Sequence, residues 1–397
     1  MRHMLSAATL AVLLVGCNGG PSGPSPDLPP PELDPALVAQ GREIFRFDTY
    51  GNEVFWTDTL RIHEVIQTAL TPRLALALGL QVDQDALPIG VQEALARGEV
   101  DLDDPATTVT LLKLGAVVGV HGKVESIGGR DTLTQVGITC ALCHTTVDNA
   151  LAPGIGRRLD GHANVALDPG AIIATSPALT AAQRAVYSSW GPGKYDPRFS
   201  IDGKNTPIVI PPAYGLARVS HETFTGDGPV SYWNAYVAVT QMHGRGNFTD
   251  SRLVIVRTAS PDLVTEKLPA LRAYQLSLEA PSPPPGSFDA AAAARGRAVF
   301  RGKARCADCH VGVALTDINL GIRHAPEATG MDPAYAMRTA ERRYRTTPLR
   351  GLLQHPPYFH DGSAATLEDV VGHYDAFLNL RLTGAERDDL VQYLRSL

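Results

Sequence analysis

The sequence predicts a mainly α protein of two like halves, the first enlarged by a long insertion. Two observations carry this. Cys140-Ala141-Leu142-Cys143-His144 and Cys306-Ala307-Asp308-Cys309-His310 repeat one five-residue pattern, and shorter matches flank each copy in the same order. Gly41-Arg42-Glu43-Ile44-Phe45 precedes the first copy and Gly296-Arg297-Ala298-Val299-Phe300 the second. Asn205-Thr206-Pro207 and Thr346-Thr347-Pro348 follow, then Gly226-Asp227-Gly228 and His360-Asp361-Gly362. Residues 268–278 (LPALRAYQLSL) close one half and residues 390–397 (LVQYLRSL) the other. Helical fragments match singly by chance, but their shared order points to an internal duplication.

The five-residue pattern is C-x-x-C-H, the attachment signature of c-type haem. Each thiol adds to a haem vinyl group, and the His that follows lies close enough to bind the iron. Two other chemistries use paired cysteines. Zinc would gather the thiolates of Cys140, Cys143, Cys306 and Cys309 on one ion, and a redox dithiol would cycle within one pair. Neither explains a His directly after each pair. The expectation is therefore two covalently bound haem c groups, with His144 and His310 as proximal ligands. Each half then reads helix, haem, helix, the layout of a cytochrome c-like haem domain used twice.

The elements follow in order. Residues 1–16 have a basic start and a short apolar core, the form of a secretory signal. Leu14-Val15-Gly16-Cys17 resembles a bacterial lipobox, which implies cleavage before Cys17 and lipidation of its thiol; an ordinary signal peptide is the alternative. With five cysteines in the chain, four go to haem and one to lipid. Asn18 carries no Asp retention signal, so the expected address is the periplasm, anchored by lipid to the outer membrane. Residues 17–34, rich in Pro, Gly and Ser, read as a flexible tether. The N-terminal haem domain spans 35–279 and opens on a helix with Asp34 as N-cap and Pro35 at its first position. Its insertion, about 47–137, carries helices expected over 58–70 and 89–96 and an extended segment or strand pair over 117–124. The insertion is expected to pack on the first haem domain and shape its access. Residues 280–294 form a Pro-rich linker, and 295–397 have the size of one C-terminal cytochrome c domain.

The formal net charge is −6 and no long basic run occurs, so nucleic acid is not an expected partner. No stretch reaches the length of a transmembrane helix.

Residues 345–350 (RTTPLR), 357–363 (PYFHDGS) and 366–368 (TLE) resemble the C-terminal half of bacterial di-haem cytochrome c peroxidases and MauG-type enzymes. The first half matches more loosely, and Trp190-Gly191-Pro192-Gly193 is faintly similar to the di-haem rubber dioxygenases. The resemblance implies a second axial ligand on the C-terminal haem at Tyr374, with His373, Met331 and Met337 as rivals. A Tyr oxygen lowers the iron potential where Met raises it. It also implies that the N-terminal haem is the reactive one, capped by His162, with Met242 and His243 as alternatives. The family's distal Gln and Glu fall by count on Tyr236 and Gly246, so Glu222, Tyr236, Gln241 and His243 become the candidate catalytic residues. The family's Trp before the D-G aspartate is Gly226 here, leaving Trp233 or Trp190 for the relay between haems. Asn205 matches a contributor to an interdomain Ca2+ whose remaining ligands the resemblance places on carbonyls near His355 and Pro357. The implied partners are a small electron-donor cytochrome or cupredoxin, and peroxide or oxygen. Two other functions compete: a non-enzymatic electron carrier, and an oxygenase of an apolar substrate.

Overall fold

A computed structural model describes residues 25–397; the expected signal peptide and Cys17 lie outside the described residues. Among the described residues helices dominate, and the sheets are five separate two-stranded pairs. In the first half the Pro35–Phe47 helix packs along the Leu268–Ser277 helix. In the second half the Ala290–Arg301 helix packs along the Gly384–Arg395 helix. First and last helices of each repeated stretch therefore meet.

The two crossings share one device. A Cβ on Gly41 would lie 1.9 Å from the carbonyl oxygen of Ala270, and one on Gly296 would lie 1.9 Å from that of Asp389. The glycine of each G-R-x-x-F run is there because backbone touches backbone. Phe45 and Phe300, one turn on, are buried in the cores of their own halves. Gly296→Ala should lower the unfolding free energy by about 1–3 kcal/mol, the usual cost of overpacking. Gly90→Ala, where a Cβ meets nothing within 4 Å, should not; paired denaturant titrations check both.

Asp34 caps the first helix by accepting from the Ala36 N–H at 2.8 Å. The helix expected over 58–70 is two pieces. A π-helical turn runs Val54–Thr59, Arg61 takes a left-handed conformation, and the Ile62–Thr68 helix follows. The break lets Trp56 and Ile62 enter the same core. The Ile89–Ala96 helix is as expected. The extended segment is a hairpin longer than predicted, Val120–Ile127 against Arg130–Ile138, turned by Gly128 and Gly129, both at positive φ.

That hairpin delivers the first C-x-x-C-H. Asn52 mimics a peptide group toward its last residue, donating from Nδ2 to the Ile138 carbonyl at 2.9 Å and accepting from the Ile138 N–H at 3.1 Å. Thr57 does the same for Val136. Thr139 Oγ1 donates to the Arg46 carbonyl at 3.0 Å, and Cys140 is next in the chain. The end of the stretch expected as a free tether is docked: the Val313 N–H donates to Asp27 Oδ1 at 2.6 Å and Asn319 Nδ2 to the Pro26 carbonyl at 2.8 Å. The halves also meet at a buried cluster in which Ile208 packs with Tyr335, Ala336 and Tyr344. No helix among the described residues is long and apolar enough to cross a membrane.

Candidate haem centres

Cys140, Cys143 and His144 lie on one short helical turn, residues 140–144, in the wall of a cavity of about 460 Å³. Its walls are overwhelmingly apolar. The insertion supplies Ile62, Ile66, Leu70 and Leu111, and the stretch that leads to Pro211 supplies Ile208 and Ile210. His144 Nδ1 lies 3.1 Å from the Pro211 carbonyl. A carbonyl only accepts, so Nδ1 carries the proton and Nε2 keeps its lone pair. Burial holds His144 down at about 4, so the ring is neutral, the form that binds a metal.

The second centre repeats the arrangement. His310 Nδ1 lies 2.8 Å from the Leu315 carbonyl, leaving Nε2 as the free nitrogen, and burial again lowers its pKa. Cys306 and Cys309 lie on the adjoining 3-10 turn. Among the described residues the four thiols form no common metal group. Burial pushes Cys140 and Cys306 up to about 11 and Cys143 up to about 12. A redox dithiol needs a lowered pKa, the opposite of what burial gives Cys140 and Cys143. An apolar cavity, a pinned neutral imidazole beside two thiols, and the buried, partnerless indole N–H of Trp233 in the same wall fit a haem with its polar edge substituents.

Tyr374 is half-buried beside Cys306 and Cys309, and desolvation with those neighbours raises it to about 12. His373 is turned away: its Nε2 lies 2.9 Å from the Thr329 carbonyl and its ring stacks on Phe377. Met337 is 54% exposed, and Met331 packs with the Tyr335 and Tyr344 cluster. On the far flank of the pair, His324 Nε2 meets Asp317 Oδ2 at 2.7 Å, which, with Cys309 nearby, raises His324 to about 10.

The candidate distal residues of the first centre separate. Gln241 lines the cavity, with Oε1 accepting from the Tyr195 hydroxyl at 3.0 Å and Nε2 donating to Thr240 Oγ1 at 2.8 Å. Met242 lines it too, and its carbonyl accepts from the Trp56 indole at 3.2 Å. Glu222 lines it with Oε1 buried and unpartnered, while Oε2 meets Arg345 at 3.1 Å and Arg350 at 4.0 Å. Tyr236 is not in the wall; its hydroxyl donates to the Pro197 carbonyl at 2.6 Å under the Arg198 guanidinium. His162 is not in the wall either and packs edge-on against Tyr214.

His243 stacks on Phe55 with ring centroids 3.5 Å apart, outside this cavity. Burial, helped by Arg257, lowers it to about 4. The unfolded chain, with His near 6.5, binds that proton more readily. Stability from this site is full above pH 6.5 and is lost as the pH falls toward 4, by up to about 3 kcal/mol at about 1.4 kcal/mol per pH unit. His243→Phe keeps the stack and should flatten that part of the stability–pH curve; urea titrations at pH 7 and 4.5 measure it.

No protein-family profile matches the chain. Curated relatives do. The methylamine utilization protein MauG of Methylorubrum extorquens is 34% identical over 120 residues, covering 26% of this chain and 34% of that protein. The cytochrome-c peroxidase IdrP2 of a Pseudomonas species is 32% identical over 143 residues, covering 26% and 39%. IdrP1 of Denitromonas iodatirespirans is 29% identical over 151 residues, covering 27% and 40%. Over about a quarter of its length the chain is similar to the di-haem cytochrome c peroxidase and MauG superfamily. The chain thus spans well under half the length of these curated relatives. Among solved structures, a MauG-like protein associated with microbial copper homeostasis aligns at TM-score 0.34 and 21% identity, covering 49% of this chain and 74% of that one. Hydrazine synthase of Kuenenia stuttgartiensis aligns at TM-score 0.34 and 18% identity, covering 48% and 73%.

The superfamily resemblance also implied calcium at Asn205, whose side-chain amide is engaged by two other residues. Asn205 Oδ1 accepts the Trp190 indole N–H at 2.8 Å, and Nδ2 donates to Ser189 Oγ at 3.0 Å. Trp190 is thereby spent on Asn205, while Trp233 faces the cavity. Sequence reasoning missed Tyr195, Pro211 and Leu315. The first sits on a two-residue strand and the other two act through carbonyls, which every residue has.

Proposed function

We propose that the chain is a di-haem c-type oxidoreductase of the peroxidase kind, in which the C-terminal half passes electrons to the N-terminal half, where peroxide reacts. The carrying observation is that two imidazoles, His144 and His310, are pinned alike through Nδ1 while their surroundings differ. At His310 a half-buried Tyr374 stands by the two sulfurs. At His144 there is a roomy cavity with a few fixed polar groups. Bound haem would supply the redox-active iron at each site. Gln241, fixed by Tyr195 and Thr240, offers a polar group at the wall without freedom to collapse. The unpartnered Glu222 Oε1 is the carboxylate oxygen available to take and return a proton. The electron donor is a small cytochrome or cupredoxin, and the chain works in the periplasm, held by a lipid on Cys17 to the outer membrane.

Haem counting with absorption and EPR spectra, before and after peroxide, tests this. Two covalent haems and a high-spin signal that peroxide abolishes are expected. Two low-spin haems indifferent to peroxide would instead make the chain an electron carrier. The apolar lining of the cavity supports a second reading, an oxygenase of an apolar substrate, for which oxygen uptake with an alkene polymer is the assay.

A further inference from the structure

Arg338 belongs to the C-terminal half, and its side chain is only 3% exposed. Its guanidinium sits in a cage of oxygens from residues 196–206 of the N-terminal half, a segment that includes the short Phe199–Asp202 helix. Nε donates to Asp202 Oδ2 at 2.8 Å. One terminal nitrogen donates to Asp196 Oδ2 at 2.8 Å and to Thr206 Oγ1; the other reaches Asp196 Oδ1 at 3.0 Å, Asp202 Oδ1 at 2.8 Å and the Lys204 carbonyl at 3.0 Å. All three nitrogens are engaged, and both carboxylates are gripped by two nitrogens each, the strong geometry for arginine. Asp196 is fully buried and fixed from behind, accepting the backbone N–H of Arg198 at 2.9 Å and of Thr206 at 2.7 Å.

Two carboxylates, a hydroxyl and a backbone carbonyl converging on one point are the oxygen set a hard divalent cation takes. Here a guanidinium fills that point, directly beside Asn205, whose own amide is turned to Trp190. We propose that Arg338 is a permanent, covalently supplied cation at the junction of the halves, and that the junction is therefore independent of divalent metal. Arg338 supplies at this point the positive charge that a bound metal would otherwise bring. A side-chain cation changes regulation as well as structure. A bound metal leaves under chelation and follows its concentration, whereas Arg338 does neither and keeps its charge at any pH the protein survives.

The test uses the full-length haem-loaded protein, thermal unfolding and metal analysis. The native protein should contain less than one calcium per chain and unfold at the same temperature in EDTA and in calcium chloride. Arg338→Ala leaves Asp196 and Asp202 facing each other. Its unfolding temperature should fall in EDTA and recover in part as calcium is added. Asp202→Asn, a milder change should the first variant fail to fold, should lose less and stay indifferent to calcium. A native protein stabilised by calcium would overturn the proposal. So would an Arg338→Ala protein as stable as the native one, or one destabilised but indifferent to calcium.

Discussion

A Cys140→Ser/Cys143→Ser chain should carry one covalent haem instead of two and lose its response to peroxide altogether. Serine oxygen forms no thioether with the vinyl groups, and His144 is then left with a free Nε2 in an apolar cavity of about 460 Å³. The mirror variant, Cys306→Ser/Cys309→Ser, should also carry one haem. It should still bind peroxide at the first centre but turn over far more slowly with an external electron donor. Pyridine haemochrome quantitation, with stopped-flow spectra after peroxide, separates the two. Should the first variant keep its peroxide reaction and the second lose it, the assignment of the reactive centre is reversed.

The second large effect is at Glu222. Its Oε2 is the carboxylate oxygen that meets Arg345, and it lies within 4.0 Å of Arg350. Burial lowers the Arg345 pKa and brings Arg350 down to about 10, the mark of guanidinia short of counter-charge. Glu222→Ala strips the carboxylate from the buried Arg345 and the half-buried Arg350 and should cost about 3–5 kcal/mol of stability. Glu222→Gln keeps the shape and some hydrogen bonding, so it should cost less. If Glu222 also moves the peroxide proton, the Gln variant should fold yet react about 10²–10⁴-fold more slowly. Denaturant titration and single-turnover kinetics on the two variants distinguish a structural counter-ion from a proton carrier. A Gln variant reacting at the native rate would leave Glu222 only the first role.

What the sequence made legible was local. C-x-x-C-H spans five residues, and its chemistry needs no knowledge of the fold. The glycines of the two G-R-x-x-F runs were visible as a repeat, but their reason, a carbonyl 1.9 Å from an absent Cβ, exists only once distant helices cross. The break at Arg61 was hidden because periodicity reads apolar spacing, and Leu60, Ile66 and Leu70 keep it on both sides of the left-handed residue. The acceptors of His144 and His310 are carbonyls without a sequence trace. Counting along the chain led to Tyr236, whose hydroxyl is occupied by Pro197, whereas the cavity wall uses Gln241 with Tyr195, 46 residues earlier in the chain. Arg338 was out of reach for the same reason: its partners lie more than 130 residues away.

The helix pairs that close each half also set the order in which the chain can assemble. In each half the helix synthesised first waits for the one synthesised last. The first closure spans a loop more than twice as long as the second, which costs only about 0.6 kcal/mol per doubling. The delay is the greater difference. Gly41 has no partner until Ala270 has been made, so the long insertion, the first haem segment and the cavity walls all exist as chain before their enclosing helices meet. The C-terminal half needs a far shorter stretch to close. Contacts of such different sequence separation fold at different rates, and the second half is the one to reach its native pairing sooner once its residues are available.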